Sequence, residues 1–230
     1  MVTDTRILAG LERQAAERRA LLDAGARRLG WKAGFGTAAA MAGLGIDAPL
    51  SGFMTDRTLL PDGGSMPVAG WGKAVLEPEI AVRLGTDLGP GASREQAAAA
   101  IDALAPAIEL ADLSGPLDDV EAILAGNIFH RAVVLGTFVP VGDGVGLDGL
   151  RVDVAGAGGP IAEDVDPTEL LGDLADVVRL LADALPAADD RMRAGDVVIT
   201  GSVIPGIAVS GGERVEVSAA GLGSVSVALG

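Results

Sequence analysis

The chain contains no cysteine and no tyrosine, and its only aromatic rings besides one histidine belong to two tryptophans and four phenylalanines. The missing thiols exclude a disulfide framework, a thiolate zinc site and a cysteine nucleophile. So few aromatics leave almost no base-stacking platform. Positive charge is also short, with 17 Lys and Arg against 32 Asp and Glu and a formal charge of -15. The resulting field repels phosphate backbones, which argues against a nucleic-acid partner. The opening stretch "MVTDTRILAGLERQAAERR" mixes charges every few residues, lacks the apolar block of a secretory signal, and no later segment offers eighteen uninterrupted apolar residues. These absences lead to the expectation of a cytoplasmic protein without a membrane partner.

What is present is a chain of 230 residues, 49% hydrophobic, with 34 glycines. That length suits one large domain, 1–230, with a core of small aliphatic side chains. Apolar positions at Ile7, Leu8, Leu11, Leu21, Leu22 and Leu29 predict a helical segment over about 3–29, as one broken helix or two, packed on a β-rich body. A second helix is expected from Ser93, which with Gln96 forms a capping-box pattern, and its end is placed at Pro106. The following "AIELADL" then reads as a strand carrying Glu109. A third helix is expected in "PTELLGDLADVVRLLADAL", with Pro167 in its first turn. Elsewhere short Val, Ile and Leu runs alternate with glycine, in "AVVLGTFV", "LRVDVAGAGGPIAED", "AGDVVITGSV" and "GIAVSGGERVEVSAAGLGSVSVAL". "AGAGGP" and "SGGE" lack the spacing of a phosphate loop and read as hairpin turns. The pattern is α+β with much antiparallel sheet.

One strand-like run is interrupted in its middle: "AVLEPEIAVRLG" carries Glu77 and Glu79 among aliphatics. Residues two apart on a strand share a face, so the two carboxylates project together and repel if buried. Two arrangements satisfy this pattern. A bound dication neutralises the pair, and hard oxygen donors suit Mg²⁺ or Mn²⁺, with Glu109 as a third ligand. Alternatively the run is an exposed edge strand, compatible with Pro78, whose wet face holds both acids.

The wider text resembles the 2-keto-4-pentenoate hydratase and 4-oxalocrotonate decarboxylase branch of the fumarylacetoacetate hydrolase superfamily. The resemblance rests on "GWKAGFGT" at 30–37, "LGIDAPLSGFMTD" at 44–56, "LEPEIAVRLGTDL" at 76–88, "PAIELAD" at 106–112, "GNIFHRAVVLG" at 126–136 and "MRAGDVVITGSV" at 192–203, in that order. It implies a rolled, mixed β-sandwich with flanking helices, self-association into homo-oligomers, and Mg²⁺ or Mn²⁺ held by Glu77, Glu79 and Glu109. It implies a small oxoacid substrate, a 2-oxo or 2-hydroxydienoic acid, hydrated across a carbon–carbon double bond through a metal-stabilised enolate. Decarboxylation, acylpyruvate hydrolysis and a non-catalytic partner role on the same fold stand as alternatives.

By the same resemblance Lys32 matches the lysine of a G-x-K-x-G piece and takes a catalytic place, offsetting charge and moving protons. Asp56 would be the proton shuttle or water-positioning base, with Arg57 adding positive charge. Asn127 would bond a substrate oxygen, and Thr200, with Ser202 close by, would lie beside the substrate carboxylate. The chain departs from the family's D-N-x-S segment at Gly126, Phe129 and His130, and Asp173 lacks the proline usual after it. His130 has two readings, a pocket acid or base, or a packed ring satisfied by backbone groups, and packing is favoured.

Overall fold

The computed structural model describes residues 2–142, 146 and 148–230. In chain order the strands are β1 (Arg28–Gly34), β2 (Leu50–Thr55), β3 (Leu59–Leu60), β4 (Ser65–Met66), β5 (Ala74–Leu84), β6 (Ile101–Asp112), β7 (His130–Leu135), β8 (Val139–Pro140), β9 (Val152–Gly156), β10 (Gly159–Val165), β11 (Val197–Ser202), β12 (Ile207–Ala208), β13 (Arg214–Ala219) and β14 (Gly223–Leu229). The helices are α1 (Thr5–Asp23), α2 (Ala38–Leu44), α3 (Arg94–Ala100), α4 (Val120–Ala125), α5 (Pro167–Leu171) and α6 (Leu174–Ala184).

The larger sheet runs β2-β1-β11-β5-β6-β7-β3, with β12 beside β5 and β8 beside β6. Its β1–β11 and β3–β7 pairs are parallel and the others antiparallel. The smaller sheet runs β10-β9-β13-β14-β4. This is a mixed two-sheet sandwich with helices at its flanks, the α+β architecture expected. Alternation along β5 and β6 aims Leu76, Ile80, Val82, Leu104, Ile108 and Leu110 at one core, shared with Val154, Val217 and Val227 of the smaller sheet. Each such buried side chain contributes about 1.5–3 kcal/mol. Opposite-parity residues Ala81, Ala105 and Ala107 meet Met54, Val133 and Ile199 on the other face. The larger sheet is therefore covered on both sides, and β5 lies at its centre.

That placement removes the exposed-edge alternative for Glu77 and Glu79. Pro78 is tolerated in a central strand because it sits at a seam between partners. Its carbonyl accepts from Val203 N at 2.8 Å, on the side where β11 ends and β12 has not begun. Pro106 repeats the device: its carbonyl accepts from Gly136 N at 2.9 Å, between the ends of β7 and β8.

Three element boundaries differ from the sequence reading. The first helix stops at Asp23, near Gly25 at φ 86, and Leu29 lies in β1. Gly30 has φ 151, and a Cβ there would lie 1.8 Å from the Val197 carbonyl oxygen, so only glycine lets β1 approach β11. The capping box at Ser93 is present, but α3 ends at Ala100 and Pro106 lies inside β6. The alanine run suits a helix by propensity, whereas from Ala103 onward β6 is buried on both faces, so no period-2 alternation marks the change to strand. The third helix is two, α5 and α6, broken at Gly172 with Asp173 capping α6 through Asp176 N. "AGAGGP" does turn the β9–β10 hairpin, while "SGGE" links β12 to β13, strands of different sheets.

Candidate metal centre

The register of β5 against β6 sets Glu77 directly across from Glu109, and Glu79 follows two residues on. All three carboxylates leave the sheet on the face opposite the shared core. One oxygen from each lies within 4.8 Å of the others. Glu79 and Glu109 are fully buried, and Glu77 is partly open to a cavity of about 260 Å³.

Each buried carboxylate has one oxygen anchored and one bare. Glu79 Oε2 accepts from Gly201 N at 2.7 Å, while its Oε1 has no partner. Gly201 has φ 106, and the β11–β5 register shifts between Ile199 and Ser202, which turns this amide toward the carboxylate. Glu109 Oε1 accepts from Lys32 Nζ and pairs with His130 Nδ1 at 2.8 Å, and its Oε2 is without a partner. Unpartnered buried carboxylate oxygens are costly.

Charge sharpens the conflict. Burial first, and then the Glu109 charge, push the Glu77 carboxyl up to about 7, against the opposing pull of Lys32. Burial first, then Glu109 and Glu77, hold Glu79 well above the usual range. Burial also acts to raise Glu109, but the Lys32 charge and the His130 hydrogen bond outweigh it and leave Glu109 low. Three clustered acids and two bare oxygens match a small hard dication, which would take one oxygen from each of Glu77, Glu79 and Glu109.

Lys32 is 1% exposed, and its Nζ also donates to the Ile128 carbonyl at 3.2 Å. Its stem needs Gly52, where a Cβ would lie 2.7 Å from Lys32 Cγ. The Ile128 carbonyl is presented by an unusual turn: Asn127, Ile128 and Phe129 all have positive φ, at 50, 51 and 61. Each left-handed residue costs about 1–2 kcal/mol. The turn is held by the Asn127 amide, whose Nδ2 donates to the Phe53 carbonyl at 2.9 Å and whose Oδ1 accepts from Phe53 N at 2.8 Å.

The structure thus brings Lys32, Glu77, Glu79 and Glu109 together and puts several other candidates elsewhere. The Asn127 side chain is spent on β2 backbone and does not line the cavity. Thr200 lines it, but its hydroxyl donates to the Ile80 carbonyl at 2.9 Å, and the Ser202 hydroxyl donates to Ile204 O at 2.6 Å. Asp56 accepts from Arg27 N at 2.8 Å and Arg27 Nε at 2.7 Å, Arg57 donates to the Ala24 carbonyl, and neither lines the cavity. His130 is packed, but its partners are side chains rather than backbone: Glu109 and, at 3.0 Å from Nε2, Thr58 Oγ1. Its ring faces a separate recess with Thr58 and Arg131. The Gly201 amide, the Ile128 carbonyl and Gly52 were missed as site elements, and only the glycine in "ITGS" gave a textual signal.

Among the described residues no helix is long and apolar enough to cross a membrane. Residues 34–229 match the family model described as fumarylacetoacetate (FAA) hydrolase C-terminal. A 4-oxalocrotonate decarboxylase of Pseudomonas putida is 30% identical over 212 residues, 91% of this chain and 80% of that protein. A 2-hydroxyhexa-2,4-dienoate hydratase of Comamonas testosteroni is 30% identical over 215 residues, 88% of this chain and 78% of its own. The solved 4-oxalocrotonate decarboxylase from Pseudomonas putida G7, complexed with magnesium and adipate, superposes with a TM-score of 0.84 at 28% identity, covering 94% of this chain and 83% of that one.

Proposed function

Because this chain belongs to the fumarylacetoacetate hydrolase family, we propose that it is a divalent-metal-dependent lyase that hydrates a short 2-hydroxydienoic acid, the enol form of a 2-oxo acid. One observation carries the reading: two fully buried carboxylates, each with one oxygen anchored and the other without a partner, cluster within 4.8 Å, oxygen to oxygen, with a third acid at a cavity wall. Mg²⁺ or Mn²⁺ bound there supplies Lewis acidity to the 2-oxo group and countercharge for the enolate that hydration requires.

The chain's own residues supply the rest. Gly201 N and the Lys32–His130 pair fix the orientation of Glu79 and Glu109. Apart from the proposed ligand Glu77, Lys32 is the one titratable side chain among the described residues lining the cavity. It is therefore the group placed to move a proton to or from the bound acid at Nζ. Its burial, at 1% exposure, and its bond to the Ile128 carbonyl of the 127–129 turn keep bulk water from that ammonium. His130 pairs with a glutamate but does not line the cavity, so it holds no water there as a base for hydrolysis.

Decarboxylation is the second reading, favoured by the identity to named decarboxylases and by the magnesium–adipate complex of one of them. The two separate in one assay. Purified protein with Mn²⁺ is given 2-hydroxypenta-2,4-dienoate and, separately, 4-oxalocrotonate, with ultraviolet absorbance and CO₂ release followed. Loss of dienoate absorbance without CO₂ supports hydration, and CO₂ from oxalocrotonate alone supports the second reading. Silence on both with metal bound leaves a non-catalytic partner of such an enzyme.

A further inference from the structure

The cavity is strongly polarised. Its charged lining is Lys32 and Glu77, with the fully buried Glu79 and Glu109 clustered against Glu77, while Phe35, Leu113, Leu117, Phe129, Leu171 and Ile204 make its wall apolar. Among the described residues no Arg, His or second Lys lines it. Thr200 and Ser202 donate their hydroxyls to backbone carbonyls, and Thr37 Oγ1 accepts from Ala40 N at the head of α2, so among the described residues the Thr37 hydroxyl is the one uncharged side-chain donor left to meet a tail. Phe129, one of the departures from the family pattern, is locked by the left-handed turn and by Gly115, where a Cβ would lie 2.6 Å from the ring.

Resting on the metal reading above, the geometry points to a substrate with a single carboxylate at the metal end and an uncharged apolar tail, and to rejection of acids that carry a second, terminal carboxylate. Charge counting leads the same way. Three glutamates, one dication and Lys32 sum to zero, so the substrate's first carboxylate is offset by coordination, and a second negative charge would enter an apolar chamber with no cation. The long-range field of a chain with formal charge -15 opposes a dianion further. A volume of about 260 Å³ fits a tail of a few carbons rather than a bulky one. This selectivity belongs to Phe129, the 113–117 loop and α5, none of which touches the metal ligands in sequence.

The test uses binding, so that it does not depend on which reaction the enzyme performs. Mn²⁺-loaded protein is titrated with 2-oxohexanoate and with 2-oxoadipate, which share a head and a chain length and differ at the tail. 2-Oxohexanoate should bind at least about 100-fold tighter, and each methylene removed from its tail should weaken binding about fourfold. Leu117 is 41% exposed at the rim, so Leu117→Arg should fold normally and raise 2-oxoadipate affinity at least about tenfold. Equal binding of the two acids, or an unchanged ratio in Leu117→Arg, overturns the tail assignment and leaves the metal reading standing. Binding of neither acid to protein shown to hold Mn²⁺ overturns the tail assignment together with the 2-oxo acid reading, while the metal centre stands.

Discussion

Replacing Glu79 by Gln asks the metal centre a direct question. The substitution keeps the size of the side chain and an oxygen able to accept from Gly201 N, but removes a buried charge and one ligand. Without metal the variant should be at least as stable as wild type, because the Glu79 carboxylate is unfavourable where burial and two neighbouring acids hold its pKa high. With metal the order reverses. Wild type at a concentration of about 100 times its Kd gains about 2.7 kcal/mol, and at about 2–4 °C per kcal/mol for a chain of this size Tm rises by about 5–11 °C. Partners of metal ligands are worth about 10–100-fold in affinity, and a direct ligand at least the upper figure. At the same metal concentration the variant then gains about 0.4 kcal/mol, or about 1–2 °C. Thermal denaturation with and without Mn²⁺ checks this. An equal metal-dependent rise in both proteins would refute the reasoning, as would a metal-free variant several degrees less stable than wild type.

Other consequences can be measured alongside it. Glu77 has a folded pKa of about 7 against an ordinary 4.5, so the native state holds the proton more tightly. Metal-free stability should therefore fall as pH rises from about 4.5 to 7, by up to about 3 kcal/mol. Mn²⁺ affinity should climb over the same window as that proton is displaced; urea denaturation and metal titration at pH 5, 6, 7 and 8 show whether the two slopes are opposite. Lys32→Met should lower turnover at least about 100-fold and Mn²⁺ affinity by much less, because losing a cation beside the glutamates offsets the loss of its hydrogen bond to Glu109; weaker metal binding with intact turnover would remove Lys32 from the proton role. Gly52→Ala places a methyl 2.7 Å from Lys32 Cγ and 3.0 Å from Asn127 Oδ1. It should destabilise by about 1–3 kcal/mol and reduce turnover with the ammonium displaced, and a variant of wild-type stability and rate would show that the stem is not confined.

The glutamates were legible because strand periodicity is local: two residues apart means one face, whatever the partner strand. Their meeting with Glu109 was carried by resemblance, since the Glu77–Glu109 register depends on pairing across a separation of 32 residues that no local pattern sets. The end of α3 was illegible for a different reason. Ala97 to Ala100 and the alternating alanines of β6 use the same residue, first for helix propensity and then because a sheet covered on both faces needs small side chains. Prolines were read as edges and stops, yet Pro78 and Pro106 occupy seams where one neighbouring strand replaces another, a tertiary circumstance. The polar candidates diverged along similar lines. Asn127 and Thr200 carry groups that bond substrate or backbone equally well, and only the positions of Phe53 and Ile80 decide between them.

The central claim is that one dication is gathered by Glu77, Glu79 and Glu109, and anomalous diffraction from crystals grown with Mn²⁺ tests it most directly. The expected result is one peak per chain, at about 2.0–2.2 Å from an oxygen of each glutamate, with Glu79 still bonded to Gly201 N and Glu109 to Lys32. A peak elsewhere, or none under saturating Mn²⁺ with the three carboxylates turned apart, would contradict it.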